Sequence, residues 1–174
     1  MRTYLLTACF AALTACVSPT VSPTAEGETP VRFDPEEVAY FYESGSASIE
    51  GQAVMRREDG ALQPCRGTVT LRPGGAFSEQ HMQETWGSTE SANHNINAHE
   101  TIIVTPELRA YFEVKRQTTC DAEGRFLFEG LADGDYFVMT SVQWLGANDF
   151  PQGGQLMQRV RIRDGESEQI LMPS

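Results

Sequence analysis

Downstream of residue 45, hydrophobic and polar positions alternate along most of this chain, the period of half-buried strands. "SASIEGQAVM" (46–55) and "RGTVTLRP" (66–73) both alternate, with Val69 and Leu71 on one face. In "AYFEVKRQTTC" Phe112 and Val114 alternate with charges, which predicts a strand there. "DAEG" (121–124) turns the chain, "RFLFE" places Phe126 and Phe128 on one side, and "ADGD" turns it again. The long strand that follows puts Tyr136, Val138, Val142 and Trp144 on its core side. "LMQRVRIRDGESEQILM" (156–172) reads as strand, Asp164-Gly165 turn, strand. Helical signals are few. Asp34, with Pro35 after it and Glu37 three residues on, predicts a short capped helix carrying Val38 and Tyr42, and residues 77–86 predict another. The fold class is all-β: an antiparallel sandwich of about seven strands with a long, partly helical insertion.

The first thirty residues follow neither period. "MRTYLLTACFAALTAC" opens with one cation, Arg2, and carries no acid until Glu26, the layout of a secretory signal. The apolar block falls short of the ~20 residues that span a bilayer. "LTAC" occurs twice and resembles the bacterial lipobox, whose cysteine is lipidated after cleavage. Cutting before Cys9 leaves too short a core in "MRTYLLTA", whereas cutting before Cys16 leaves Tyr4 to Ala12. The resemblance therefore implies a signal peptide over 1–15 and acyl chains on Cys16, with stable anchoring once more than one chain is attached. No Asp follows Cys16, which in a Gram-negative host points to the outer membrane rather than inner-membrane retention. The expected location is the cell envelope, at the periplasmic face or the cell surface. "VSPTVSPTAEGETP" is a Pro/Ser/Thr tether, so Cys16 and the tether occupy 16–32, a lead-in 33–46, and the sandwich 47–174.

Charge narrows the partners. The chain has 13 basic and 24 acidic residues, net −11, and losing Arg2 with the signal makes it more acidic still. Nucleic acid, which demands a basic footprint, is excluded as a partner. With Cys16 lipidated, Cys65 and Cys120 remain as a pair in an oxidising compartment, where a disulfide is expected. A metal or redox pair lacks the CxxC spacing.

"GQAVMRREDGALQPCRGTVTLRP" and "TTCDAEGRFLFEGLADGDYFV" together resemble the carboxypeptidase regulatory-like domain, a transthyretin-like (prealbumin-like) β-sandwich. The matching positions are Gly51, Val69 with Leu71, Thr119-Cys120-Asp121 through Gly124 and Phe126, and Gly134 with Tyr136. The resemblance covers 47–72 and 110–172 and implies a non-catalytic module. Residues 73–109 replace what would be a short connection, and long loops inside compact domains are often functional.

Candidate chemistry concentrates in that insertion. His81, His94, His99 and Glu100 lie there, but the spacing in "HNINAHE" forms no helical ligand face, so they read as solvated loop residues and no metal or cofactor is expected. No G-x-S-x-G elbow occurs, and no enzyme activity is expected. Asp121, Glu123, Asp133 and Asp135 crowd two turns that, at one end of the sandwich, would offer calcium its oxygens; hairpin chemistry explains them equally. Arg159, Arg161 and Arg163 line one strand face, either as an anion stripe or as cross-strand partners of Glu166 and Glu168. Trp86 has no apolar neighbour within three residues, which makes it the candidate exposed aromatic against a role in core or strand-edge packing. The expected function is a non-catalytic binding module for an envelope partner or glycan, with Phe77, His81 and Trp86 as contact residues and Gly74-Gly75 releasing the loop from the sheet. The alternative is a structural lipoprotein that braces an envelope complex.

Overall fold

The structure, a computed structural model, describes residues 31–96, 103–146 and 149–173. Cys16, the tether, His99 and Glu100 lie outside them. Residues from Val31 onward form one compact unit. Its strands are β1 (Ala47–Arg56), β2 (Leu62–Pro64), β3 (Thr68–Pro73), β4 (Ser91–Asn95), β5 (Arg116–Thr119), β6 (Arg125–Leu131), β7 (Gly134–Leu145), β8 (Pro151–Ile162) and β9 (Glu168–Pro173). Two helices, α1 (Ala76–Trp86) and α2 (Pro106–Glu113), fall between β3 and β5. The fold is the expected all-β sandwich.

In one sheet β1 is central. Its residues 49–52 pair with β6 antiparallel and with β9 parallel, so those strands flank it, and β2 pairs with its C-terminal end. The other sheet runs β4-β8-β7-β3-β5, antiparallel throughout. Alternation sends Ile49, Leu71, Phe128, Val138, Val142 and Ile162 into the space between the sheets. Gly124 sits in the left-handed region at φ +81, and a Cβ there would lie 2.6 Å from the Ala53 carbonyl oxygen. The turn into β6 therefore requires a glycine. Cys65 and Cys120 are disulfide-bonded, with Cα atoms 5.8 Å apart.

Four local expectations are corrected. Residues 110–113 are helical, not extended: Thr105 accepts a hydrogen bond from the Leu108 amide at 3.1 Å, and Pro106 opens α2. That cap and proline start a helix whose Leu108 and Tyr111 are buried at helical spacing. Near residue 40 the chain forms a 3₁₀ turn, Ala39–Tyr42; its three-residue period buries Val38 and Phe41 and leaves Tyr42 70% exposed. β8 and β9 form no hairpin. Asp164 (φ +56) and Gly165 (φ +68) both take left-handed conformations, their amides donate to the Asp133 carboxylate at 2.8 Å, and the chain crosses to β1. There the pairing of Gly51 with Ile170 turns Ile170 and Met172 into the core, which a two-residue hairpin would have denied Ile170. Finally, the acidic turns at 121–124 and 132–133 precede and follow β6, so its length separates them.

The insertion forms a third layer. Phe137 and Met157 point out of the five-stranded sheet, away from the inter-sheet core, and meet Met82, Leu108 and Tyr111 from α1 and α2. α1 starts at Gly75, which has no capping side chain; Glu37 supplies the acceptor instead, taking the Ala76 amide at 2.8 Å. Gly87 ends the helix in the left-handed conformation.

Candidate functional site

Phe77, His81 and Trp86 all lie on α1, and all three are half-buried. Phe77 and His81 meet the Tyr111 ring edge-on, at 5.7 and 6.1 Å between centroids, and His81 also meets Phe112. Trp86 stacks on His94 of β4 at 4.9 Å and packs against the second core cluster. Arg72 lies over Phe112 and Tyr111 and donates to the Tyr111 and Val114 carbonyls. Burial pushes the His81 imidazole below its ordinary pKa; Glu84 opposes the shift and Arg72 adds to it. The three residues are thus brought onto one helix, largely turned toward the sheet beneath it.

The arginine stripe is neutralised, but not by Glu166 and Glu168, since β9 leaves for the other sheet. Arg159, only 10% exposed, donates to Glu79 of α1 at 2.5 Å and to Asp135, and its guanidinium lies over the Phe137 ring. Arg161 pairs with Glu90 and Arg163 with Asp135. Burial raises the Asp135 carboxyl, but hydrogen bonds from Arg159 and Arg163 outweigh it and hold the group below its ordinary range. This cluster pins α1 to the sheet. Asp121 accepts from the Glu123 and Arg125 amides and from the Arg125 side chain, which is turn chemistry. Among the described residues no group of three or more His, Cys, Asp or Glu is placed to hold a metal.

Besides a hollow of about 350 Å³ where Ala92 and Asn93 of β4 and Leu156 of β8 meet Leu171 and Met172 of β9, two concavities stand out among the described residues. An open groove of about 540 Å³ is lined by Glu50, Gln52, Leu127 and Gln169 of the four-stranded sheet together with Thr118 and Thr119 of β5 in the other sheet. Register sets Gln169, Glu50 and Leu127 in one row and Leu171, Gln52 and Arg125 in the next. Leu127 and Leu171 are exposed, and Arg125 is engaged by Asp121 and Glu123. The second concavity lies at the mouth of the sandwich, between the β1–β2 and β7–β8 turns. It has a volume of about 170 Å³ and is lined by Arg57, Glu58, Asp59, Trp144, Gly146 and Gln152.

This mouth is built by two hairpins. Trp144 and Gln152 are cross-strand partners, and the indole N–H donates to Gln152 Oε1 at 2.8 Å. A Cβ at Gly146 would fall 2.5 Å from the Gln152 side-chain carbon, so the missing side chain lets the amide reach the indole. From the other hairpin, Arg57 sits 5.9 Å from the Trp144 ring centroid and pairs with Asp59 at 3.4 Å. Asp59 also accepts the Ala61 amide at 3.0 Å, and Gly60 at φ +82 closes the turn.

The fold has a counterpart among solved structures. A candidate carbohydrate binding protein from Pseudomonas aeruginosa superposes with a TM-score of 0.64 at 20% identity, over 82% of this chain and 97% of that one. That likeness is one of fold. A match to a 9R-lipoxygenase from Cyanothece, at a TM-score of 0.29 and 8% identity, covers 86% of this chain but 18% of that one. No family model and no curated protein matches the chain.

Chemically, the mouth offers an aromatic surface beside an amide, a guanidinium and two carboxylates. Trp144 was legible as a core-side residue, whereas Arg57, Glu58, Asp59 and Gln152 were missed. The charged turn "RREDG" between two strands was their one signal in the sequence.

Proposed function

We propose that this protein is a non-catalytic carbohydrate-binding module, held at the cell envelope by a lipidated Cys16, whose contact site is the mouth around Trp144. One observation carries the reading. A half-buried indole, fixed by its own N–H bond to Gln152, shares a small cavity with Arg57, Glu58 and Asp59. Sugars combine an apolar C–H face with a rim of hydroxyls. An aromatic surface takes the first, and a few placed polar groups take the second. The fold likeness to a candidate carbohydrate binding protein supports the same reading. The insertion then serves as a packing layer, and Phe77, His81 and Trp86 act through stability.

A second reading, a protein contact that braces an envelope complex, is favoured by the outer face of the four-stranded sheet, where Leu127 and Leu171 are exposed among the described residues. A panel of soluble oligosaccharides titrated by calorimetry against the wild type, Trp144→Leu and Leu127→Lys separates the two. Saccharide binding lost in Trp144→Leu and retained in Leu127→Lys supports the first. Absence of binding by the folded wild type overturns it. Anchoring is tested apart from binding: Cys16→Ser releases the protein from the membrane fraction and Cys9→Ser does not.

A further inference from the structure

Resting on that reading, we infer that the mouth around Trp144 selects uncharged sugar rings and excludes acidic ones. The argument starts from the charges that face the cavity. Arg57 is the one cation among its lining residues, and it is already committed: Asp59 holds it at 3.4 Å while the Ala61 amide fixes Asp59 in turn. Glu58 is exposed and makes no hydrogen bond or ion pair among the described residues, so its carboxylate stands uncompensated at the rim. The other lining groups, Trp144, Gly146 and Gln152, are neutral. The lining residues therefore carry a net negative charge, while the Arg56 guanidinium on the same turn lies outside the lining and donates to the Gly60 carbonyl at 3.2 Å.

Carboxylates accept only, and hydroxyls donate to them. A neutral ring presents such donors to Glu58 and Asp59 while one of its faces lies on the indole. A uronic acid or sulfated sugar brings a second anion against Glu58, and it must compete with Asp59 for the Arg57 guanidinium. The volume sets the scale. At ~30 Å³ per water, 170 Å³ holds the equivalent of about six waters, the footprint of one ring. Longer saccharides would engage by a single residue.

The test is an NMR titration of the full mature domain, following the indole N–H signal of Trp144, assigned by its loss in Trp144→Phe. Glucose, N-acetylglucosamine and glucuronic acid are the probes, at equal pH and ionic strength. Glucose or N-acetylglucosamine is expected to shift the Trp144 signal, with glucuronic acid binding about five-fold more weakly, the effect of one like charge at contact distance in water. Glu58→Gln is expected to close that gap, and as an exposed isosteric change it leaves the fold intact. Glucuronic acid binding as tightly as the neutral sugars overturns the selectivity alone. A Trp144 signal that no saccharide moves, in a protein with an otherwise native spectrum, overturns the carbohydrate reading and the selectivity with it.

Discussion

Removing the disulfide tests how this sandwich is held. Cys65 precedes β3 and Cys120 follows β5, and the ladder between these strands pairs Thr68 with Thr119. The bond therefore closes a ladder end whose backbone hydrogen bonds already hold it. Its effect falls on the unfolded chain, where it ties off a loop with a sequence separation of 55. On the chain-entropy account such a loop is worth about 4 kcal/mol. For a unit the size of Val31–Ser174, that corresponds to a fall in Tm of roughly 10–15 °C. The measurement is a far-UV circular dichroism melt of the Cys65→Ala, Cys120→Ala double variant beside the wild type with and without reductant. Reduced wild type separates loop entropy from the small packing loss at fully buried Cys65. Near-UV spectra should stay native at 25 °C in all samples. A Tm that moves by less than about 3 °C in both reduced wild type and double variant would show that the unfolded chain is not the state the bond acts on.

Four further perturbations probe the layers. Arg159→Met keeps the packing on Phe137 but leaves the partly buried Asp135 with Arg163 and the longer contact to Arg161 at 4.0 Å, and should cost about 2 kcal/mol in a urea titration, below the ~3–5 of a fully buried pair because Glu79 is 41% exposed. Glu79→Gln should cost under about 1 kcal/mol, and the reverse order would mean that α1, not the sheet, depends on the pair. Glu37→Ala removes the acceptor of the Ala76 amide and should cost about 1 kcal/mol, with hydrogen exchange accelerating in the first turn of α1. His81, its folded pKa depressed by burial, adds a pH dependence: below the ordinary value of ~6.5 the unfolded chain takes up the proton first, so stability falls as pH drops through that value toward the folded pKa. His81→Gln should flatten the loss seen between pH 7.5 and 5.5, and an unchanged slope would assign it elsewhere.

Alternation over β1, β3, β6, β7 and β8 was legible because each strand has one face between the sheets and one outside, so a period of two is written into the residues themselves. The disulfide was legible for a compositional reason, two cysteines left over once the N-terminal pair is accounted for. α2 was misread because Phe112 and Val114 alternate by coincidence, while the cap that decides the matter, Thr105 with Pro106, precedes the pattern. The hairpin expected after Asp164 failed at Ile170, whose burial depends on which strand receives β9, and no local pattern names a partner 119 residues away, as the bond from Ser48 to Ser167 illustrates. The mouth was the least visible feature. Trp144 belongs to one hairpin and Arg57, Glu58 and Asp59 to another, each with ordinary turn chemistry, and only the stacking of two sheets brings them to one cavity. By itself the sequence determined the strand period, the signal-like N-terminus, the acidic balance and the cysteine pair, all carried by neighbouring residues or by counts. The tertiary structure alone decided which strand pairs with which, where the arginines find their acids, and which aromatic lines a cavity, because those depend on contacts between segments whose separation along the chain leaves no local trace.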